Sequence, residues 1–291
     1  MTERGVKPGA APTQSRKQPA TPAPALSARP AFPLRLTLPA NQAVATKNVA
    51  AYARSEWLGG KNDLIVAPQN AIRAEAATND SRSVRAHMVR KLAAQGVSDA
   101  FVLAAMGSIE RHRFVDTALG AQAYEDTSLP IGLGQTISKP NVVARMLELL
   151  RNGSPGKLGR VLEIGTGCGY QAAVLSHLAA EVYSIERLRG LHQKAIENLR
   201  FLRLPNVHLL YGDGMLGYQR GAPYAAIIAA AGGQAVPSAW TDQLAVGGRL
   251  VAPVVTPTGA QALVLIEKLP AGLRKTVLEA VSFVPLKSGV S

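Results

Sequence analysis

Apolar positions along this chain fall into two regimes, irregular before Ser81 and periodic after it. In RSVRAHMVRKLAAQG, Val84, Met88 and Leu92 stand at i, i+4 and i+8, which predicts a helix that Gly96 can end. Ser98 is placed to cap a second helix in DAFVLAAMGSI. A long loop, YEDTSLPIGLGQTISKP, leads into the apolar-periodic helix NVVARMLELLR. From Arg160 the pattern alternates. RVLEI, EVYSIE, NVHLLYGD, YAAIIAAA and GRLVAPVV are strand-like runs, YQAAVLSHLA and LRGLHQKAIENLRFL are helical, and a further helix lies near WTDQLA. ALVLIEKL and TVLEAVSFVPL are close enough to pair as antiparallel strands. This alternation predicts an α/β domain over residues 81–291, with N-terminal helices and a doubly wound, mostly parallel sheet. In such a sheet a ligand belongs at the carboxyl ends of the strands.

Residues 1–80 read differently. The first forty form a Pro/Ala tract in which proline removes backbone donors and locks φ, so a disordered extension is expected. Residues 41–80 have no clean period and read as linker. The remaining 211 positions and the 47% apolar content of the 291-residue chain suffice for a full core. The net charge of +13 is spread along the sequence in pairs such as Arg16-Lys17 and Arg90-Lys91. That is a diffuse positive field and excludes a dense nucleic-acid-binding run. Cys168 is the single cysteine, so no internal disulfide can form and a reducing, cytoplasmic compartment is expected. No apolar stretch reaches membrane-spanning length. The five histidines have no paired ligand spacing, so no metal site is expected.

The candidate chemistry starts at VLEIGTGCGY, residues 161–170. A glycine-rich loop after the first strand of such a sheet is where a nucleotide binds. A dinucleotide fingerprint would put a third glycine at position 170, which is Tyr170 here, and the Gly-Lys-Ser/Thr of a P-loop is absent. The spacing is Glu163, Gly165, Gly167, Gly169. The second strand ends in Glu186, which can accept both hydroxyls of a ribose, with Arg187 next to it. The third ends in Gly212-Asp213, where Asp213 could accept an adenine amino group. Each acid alone could be a turn former or a solvated strand end; their order at successive strand ends argues for an adenosine ligand. Cys168 lacks a neighbouring acid–base partner in sequence and reads as a small loop residue.

The E-x-G-x-G-x-G spacing resembles motif I of class I S-adenosylmethionine methyltransferases. Together with LPIGLGQTISKP, SIERLRGL, YGDG and the ending AVSFVPLKSG, it resembles the protein-L-isoaspartate O-methyltransferase family from about Arg82 to the C-terminus. The resemblance implies a Rossmann-like fold with S-adenosyl-L-methionine as cofactor. It implies methyl transfer to the free carboxylate of L-isoaspartyl and D-aspartyl residues in damaged proteins. Apart from the resemblance, a monomer is expected, and the dispersed charge and short apolar runs predict no nucleic-acid or membrane partner. It places Glu163, Gly165, Thr166, Gly167, Gly169, Glu186, Arg187, Gly212 and Asp213 around the cofactor. Gln135, Thr136 and Ile137 fall in the substrate loop and Ser138 in the catalytic position. Ser138 also precedes Lys139-Pro140 and a helix, so capping is its competing role. Gly132 and Gly134 would let that loop act as a lid. Two departures, Ala225 where the family has an acid and Gly232-Gly233 where it has prolines, leave two other readings open: a methyltransferase for a small molecule or RNA, or an impaired binding protein of the same fold.

Overall fold

A computed structural model describes residues 69–291, with side chains described from Ser81 onward. The Pro/Ala tract and most of the expected linker lie outside the described residues. Helix α1 (Gln69–Ala94) starts twelve residues before Ser81. Its first turns, QNAIRAEAATND, carry no apolar stripe and are supported by alanine-rich helix propensity, which a search for amphipathic period does not detect. Met88 and Leu92 are buried, whereas Val84 is exposed. Helix α2 (Ala100–Ser108) is capped by Asp99, not Ser98: the Asp99 carboxylate accepts from the amides of Phe101 and Val102. The Ser98 hydroxyl donates instead to Glu148.

The expected long loop contains a small antiparallel hairpin, β1 (Leu129–Gly132) and β2 (Gln135–Ile137). Leu133 and its flanking glycines turn it with positive φ. Helix α3 (Pro140–Arg151) follows, with Pro140 in its first turn. The alternating segment is β3 (Leu158–Ile164), α4 (Tyr170–Leu178), β4 (Ala179–Glu186), α5 (Arg189–Leu199), β5 (Val207–Tyr211), β6 (Tyr224–Ala229), α6 (Ser238–Gln243) and β7 (Leu244–Val255). β8 (Gln261–Leu269) and β9 (Gly272–Val281) complete a seven-stranded sheet of order β5-β4-β3-β6-β7-β8-β9. The pairs from β5 to β7 are parallel, and β8 and β9 add antiparallel to β7, as their adjacency in sequence predicts.

The central strands explain their composition by position. Val161 to Ile164 of β3 and Ala226 to Ala229 of β6 are all buried, since helices or loops cover both sheet faces. One face packs Leu162, Ile227 and Leu250 around Trp240 of α6. The other packs Val161, Ala226 and Val251 beneath α2, α3 and α4. Helix α4 is apolar nearly all round and buried on every side except His177, as a helix between sheet and further helices must be. The strand order reverses between β3 and β6, which run parallel, and this opens a crevice beyond their carboxyl ends.

Candidate active site

The crevice holds a cavity of about 420 Å³, within the usual range for ligand sites. Its floor is the turn Ile164–Cys168. One wall is Ile185–Leu188 at the end of β4, a second is the hairpin from Ile131 through Ser138, and a third is Val284–Lys287 from the C-terminal segment. Gly214, Ala230 and Ala231 close it beneath.

The floor follows from glycine backbone geometry. Gly165, Gly167 and Gly169 have φ of +91°, +57° and +89°, a region that L side chains rarely adopt. The amides of Gly165 and Thr166 both donate to the Ile185 carbonyl, which ties the turn to β4. The Gly167 amide donates to Glu186 Oε2 at 2.8 Å, and the Leu188 amide donates to Glu186 Oε1 at 2.9 Å. Glu186, only 5% exposed, is thereby fixed at the cavity wall with a further lone pair free on each oxygen. This position suits a ribose diol.

Of the residues the sequence pointed to, Gln135, Thr136, Ile137, Ser138, Gly165, Thr166, Gly167, Glu186 and Arg187 converge on this cavity. Glu163, Gly169, Gly212 and Asp213 do not line it. Glu163 is fully buried in β3 behind the loop and accepts from the Ser184 hydroxyl, which also meets the Thr166 hydroxyl at 2.6 Å. Burial, reinforced by the nearby Glu186 charge, pushes the Glu163 carboxyl up to about 8, so it is protonated at neutral pH. It supports the loop from behind and offers no charge to a cationic ligand. Gly169 caps α4, and a side chain there would meet Leu199 and Ala195, so its role is helix–helix packing. Asp213 sits just beyond β5; its Oδ1 accepts from the Met215 amide and its Oδ2 from the Gly289 amide at 2.7 Å.

Ser138 lines the cavity, and no hydrogen bond within the described residues engages its hydroxyl. The capping role falls away: Lys139 occupies the N-cap position of α3 and has no side-chain acceptor to offer, and the Asp126 carboxylate accepts from the Asn141 amide instead. The hairpin is braced where a free lid was expected, since the Lys194 ammonium on α5 donates to the Ile131 carbonyl at 2.9 Å. Cys168 faces the same floor, but burial pushes its thiol up to about 11, which leaves it protonated and unreactive.

The C-terminal wall was missed by sequence reasoning. Val284–Lys287 reach the cavity because the Gly232 amide donates to the Val284 carbonyl and the Leu286 amide donates to the Gly232 carbonyl. A Cβ at Gly232 would come within 2.6 Å of the Gln261 side-chain amide, which is bonded to the Phe283 backbone through both its oxygen and its nitrogen, so the glycine makes room for that amide. Ala225 lies at the start of β6, at the strand end opposite the cavity, where a Cβ added at Gly159 would meet it at 3.3 Å. Neither departure from the expected pattern removes a group from the site.

A family model for protein-L-isoaspartate(D-aspartate) O-methyltransferase matches residues 83–291. The chain belongs to this family. It is 60% identical over 215 residues to the protein-L-isoaspartate O-methyltransferase of Leptothrix cholodnii, covering 73% of this chain and 76% of that one. It is 56% identical over 231 residues to that of Burkholderia mallei, covering 79% and 71%. A solved protein-L-isoaspartate O-methyltransferase superposes with a TM-score of 0.64 at 30% identity over 71% of this chain and 67% of its own. A Plasmodium falciparum protein, solved in complex with S-adenosyl-L-homocysteine, shares the fold with a TM-score of 0.60 at 24% identity, over 70% of this chain and 98% of its own. The chain is accordingly an S-adenosylmethionine-dependent methyltransferase that acts on isoaspartyl residues of damaged proteins. No described helix is long and apolar enough to cross a membrane, and no group of three or more potential metal-ligating side chains occurs among the described residues.

Proposed function

We propose that the cavity at the β3/β6 switch point is where methyl transfer takes place, with Ser138 orienting the isoaspartyl carboxylate and Glu186 holding the cofactor ribose. The observation that carries this reading is the convergence of the Ser138 turn, the glycine loop and Glu186 on one cavity. When bound, S-adenosylmethionine supplies a methyl carbon on a sulfonium, whose sulfur keeps the bonding electrons as the carbon leaves. The attacking carboxylate is already ionised, so the chain has no proton to abstract. Its task is alignment and water exclusion. Ile131, Val143, Leu191 and Leu286 supply apolar surface for the latter, and Arg187 and Lys287 place positive charge where an anionic substrate enters. The turn at Gly165–Gly167, with no Cβ on its glycines, lets the cofactor approach the backbone. Asp213, outside the cavity lining, ties the turn after β5 to the C-terminal segment through the Met215 and Gly289 amides.

The same reading takes the enzyme to act as a monomer, with the cavity lined by residues of this chain. It has no nucleic-acid partner, because its charge is dispersed along the sequence. A cytoplasmic setting goes with its single, buried cysteine. Residues 81–291 form the methyltransferase domain, and residues 1–80 are an extension to it.

Ser138→Ala tests the assignment. With no cap bond to lose, the variant should unfold within about 0.5 kcal/mol of the parent. Its kcat on an isoaspartyl peptide should fall about tenfold or more while S-adenosylhomocysteine affinity holds. A folded Ser138→Ala with unchanged kcat would remove Ser138 from the reaction.

A further inference from the structure

Arg111 is among the largest completely buried side chains of the described residues. It lies in a single-turn helical segment, Arg111–Phe114, outside the cavity lining. A guanidinium taken out of water is costly unless its donors are matched, and a well-packed apolar side chain would fill the same space at less expense. Arg111 forms no ion pair within 4.0 Å among the described residues. Its partners are main-chain carbonyls: Nε donates to Ala123 at 2.7 Å, Nη2 to Ser138 at 2.8 Å, and a longer contact joins Nη2 to Thr127 at 3.5 Å. Its plane lies over the Tyr170 ring, 4.9 Å from the centroid, at the start of α4 just beyond the glycine loop.

These partners lie together in a telling way. Ala123 and Thr127 belong to the irregular segment that enters β1, and Ser138 is the residue that leaves β2. Arg111 therefore grips both ends of the hairpin that walls the cavity, from a base that also touches α4. A guanidinium fork holds its donors in one plane at fixed angles, so it sets direction as well as distance; a lysine ammonium does not. The Ser138 carbonyl is held by this bond, and the same residue lines the cavity.

We propose that Arg111 is a positioning residue for methyl transfer: it acts through the Ser138 carbonyl to hold the Ser138 hydroxyl where it meets the isoaspartyl carboxylate. The proposal rests on the role assigned to Ser138. A buried arginine that merely braced the fold would give a stability defect. One that aims a single side chain gives a kcat defect that depends on that side chain being present.

A double-mutant cycle with Arg111→Lys and Ser138→Ala separates these cases. Turnover is counted per site able to bind S-adenosylhomocysteine in calorimetry, so unfolded protein does not enter the rate. Arg111→Lys should lower kcat on an isoaspartyl peptide about 10- to 100-fold and leave S-adenosylhomocysteine affinity within about twofold. In the Ser138→Ala background the same substitution should cost no more than about threefold further, because the group it aims is already gone. Losses that multiply in full would overturn the proposal and leave Ser138 its role. A Ser138→Ala variant with full kcat would overturn the Ser138 assignment, and this proposal with it. If Arg111→Lys does not fold, Arg111→Gln, which keeps one amide donor, takes its place in the cycle. Failure of both to fold would make Arg111 a folding residue and contradict the inference.

Discussion

At the scale of single residues, neighbours in one motif do different work. Gly167 and Gly169 belong to the same spaced triplet, yet only Gly167 lines the cavity, while Gly169 is packed against α5. Gly167→Val should weaken S-adenosylhomocysteine binding at least about tenfold, because the left-handed φ and the 3.2 Å approach of Ile131 Cδ1 leave a side chain no room beside the ligand. Gly169→Ala should act on stability instead, costing about 2 kcal/mol by chemical denaturation, since its Cβ would meet Leu199 at 3.2 Å with φ at +89°. Calorimetry and denaturation of both variants check the division, and equal losses of affinity would refute it. Glu163 shows how much a motif hides. Spacing places an acid two residues ahead of the loop, but only burial reveals that it is a neutral support. Its carboxyl ionises near pH 8 in the folded chain and near 4.5 when unfolded, so the unfolded state releases its proton first. Stability from this group therefore declines as pH rises from about 4.5 to 8. Glu163→Gln, which keeps the shape and remains neutral, should stabilise the protein by about 2 kcal/mol or more at pH 8 and by progressively less towards pH 5. A gain that grows towards acid pH would show that the carboxylate is the form the fold prefers.

At the scale of elements, periodic segments were legible and irregular ones were not. β3, α4, β4 and α5 match their apolar patterns closely because burial on a sheet face or a helix stripe imposes a period. The hairpin β1–β2 escaped because it is short and glycine-punctuated, with pairing decided by one turn and not by alternation. The cap of α2 moved from Ser98 to Asp99 because the neighbouring carboxylate Glu148, supplied by α3, takes the Ser98 amide and hydroxyl. No local signal carries a partner fifty residues away. The hairpin is also where an element serves function directly. Lys194 on α5 joins it to the cofactor side of the cavity through one charge-assisted bond. Lys194→Met should raise the KM for an isoaspartyl peptide several-fold while costing about 1 kcal/mol or less of stability. An unchanged KM would mean that the hairpin holds its place without the brace.

At the scale of the whole molecule, strand order decides where chemistry can occur. The strand order switches between β3 and β6, and the loops there collect Glu186, the glycine turn and Ser138 from distant parts of the sequence. The motif phrases foretold that gathering; the contribution of the C-terminal segment and of Arg111 depends on long-range backbone pairing that sequence does not display. The departures at Ala225 and Gly232-Gly233, which left an impaired protein open, lose their force once placed: one faces away from the cavity and the other lets its third wall close. The central claim is that this one cavity transfers a methyl group to isoaspartyl carboxylates. The most direct test is transfer of labelled methyl from S-adenosylmethionine to an isoaspartyl peptide, beside its aspartyl twin, using the full 291-residue chain. The account predicts base-labile label on the isoaspartyl peptide alone, with Ser138→Ala losing most of it. Protein that binds S-adenosylhomocysteine yet labels neither peptide, or labels both alike, would contradict it.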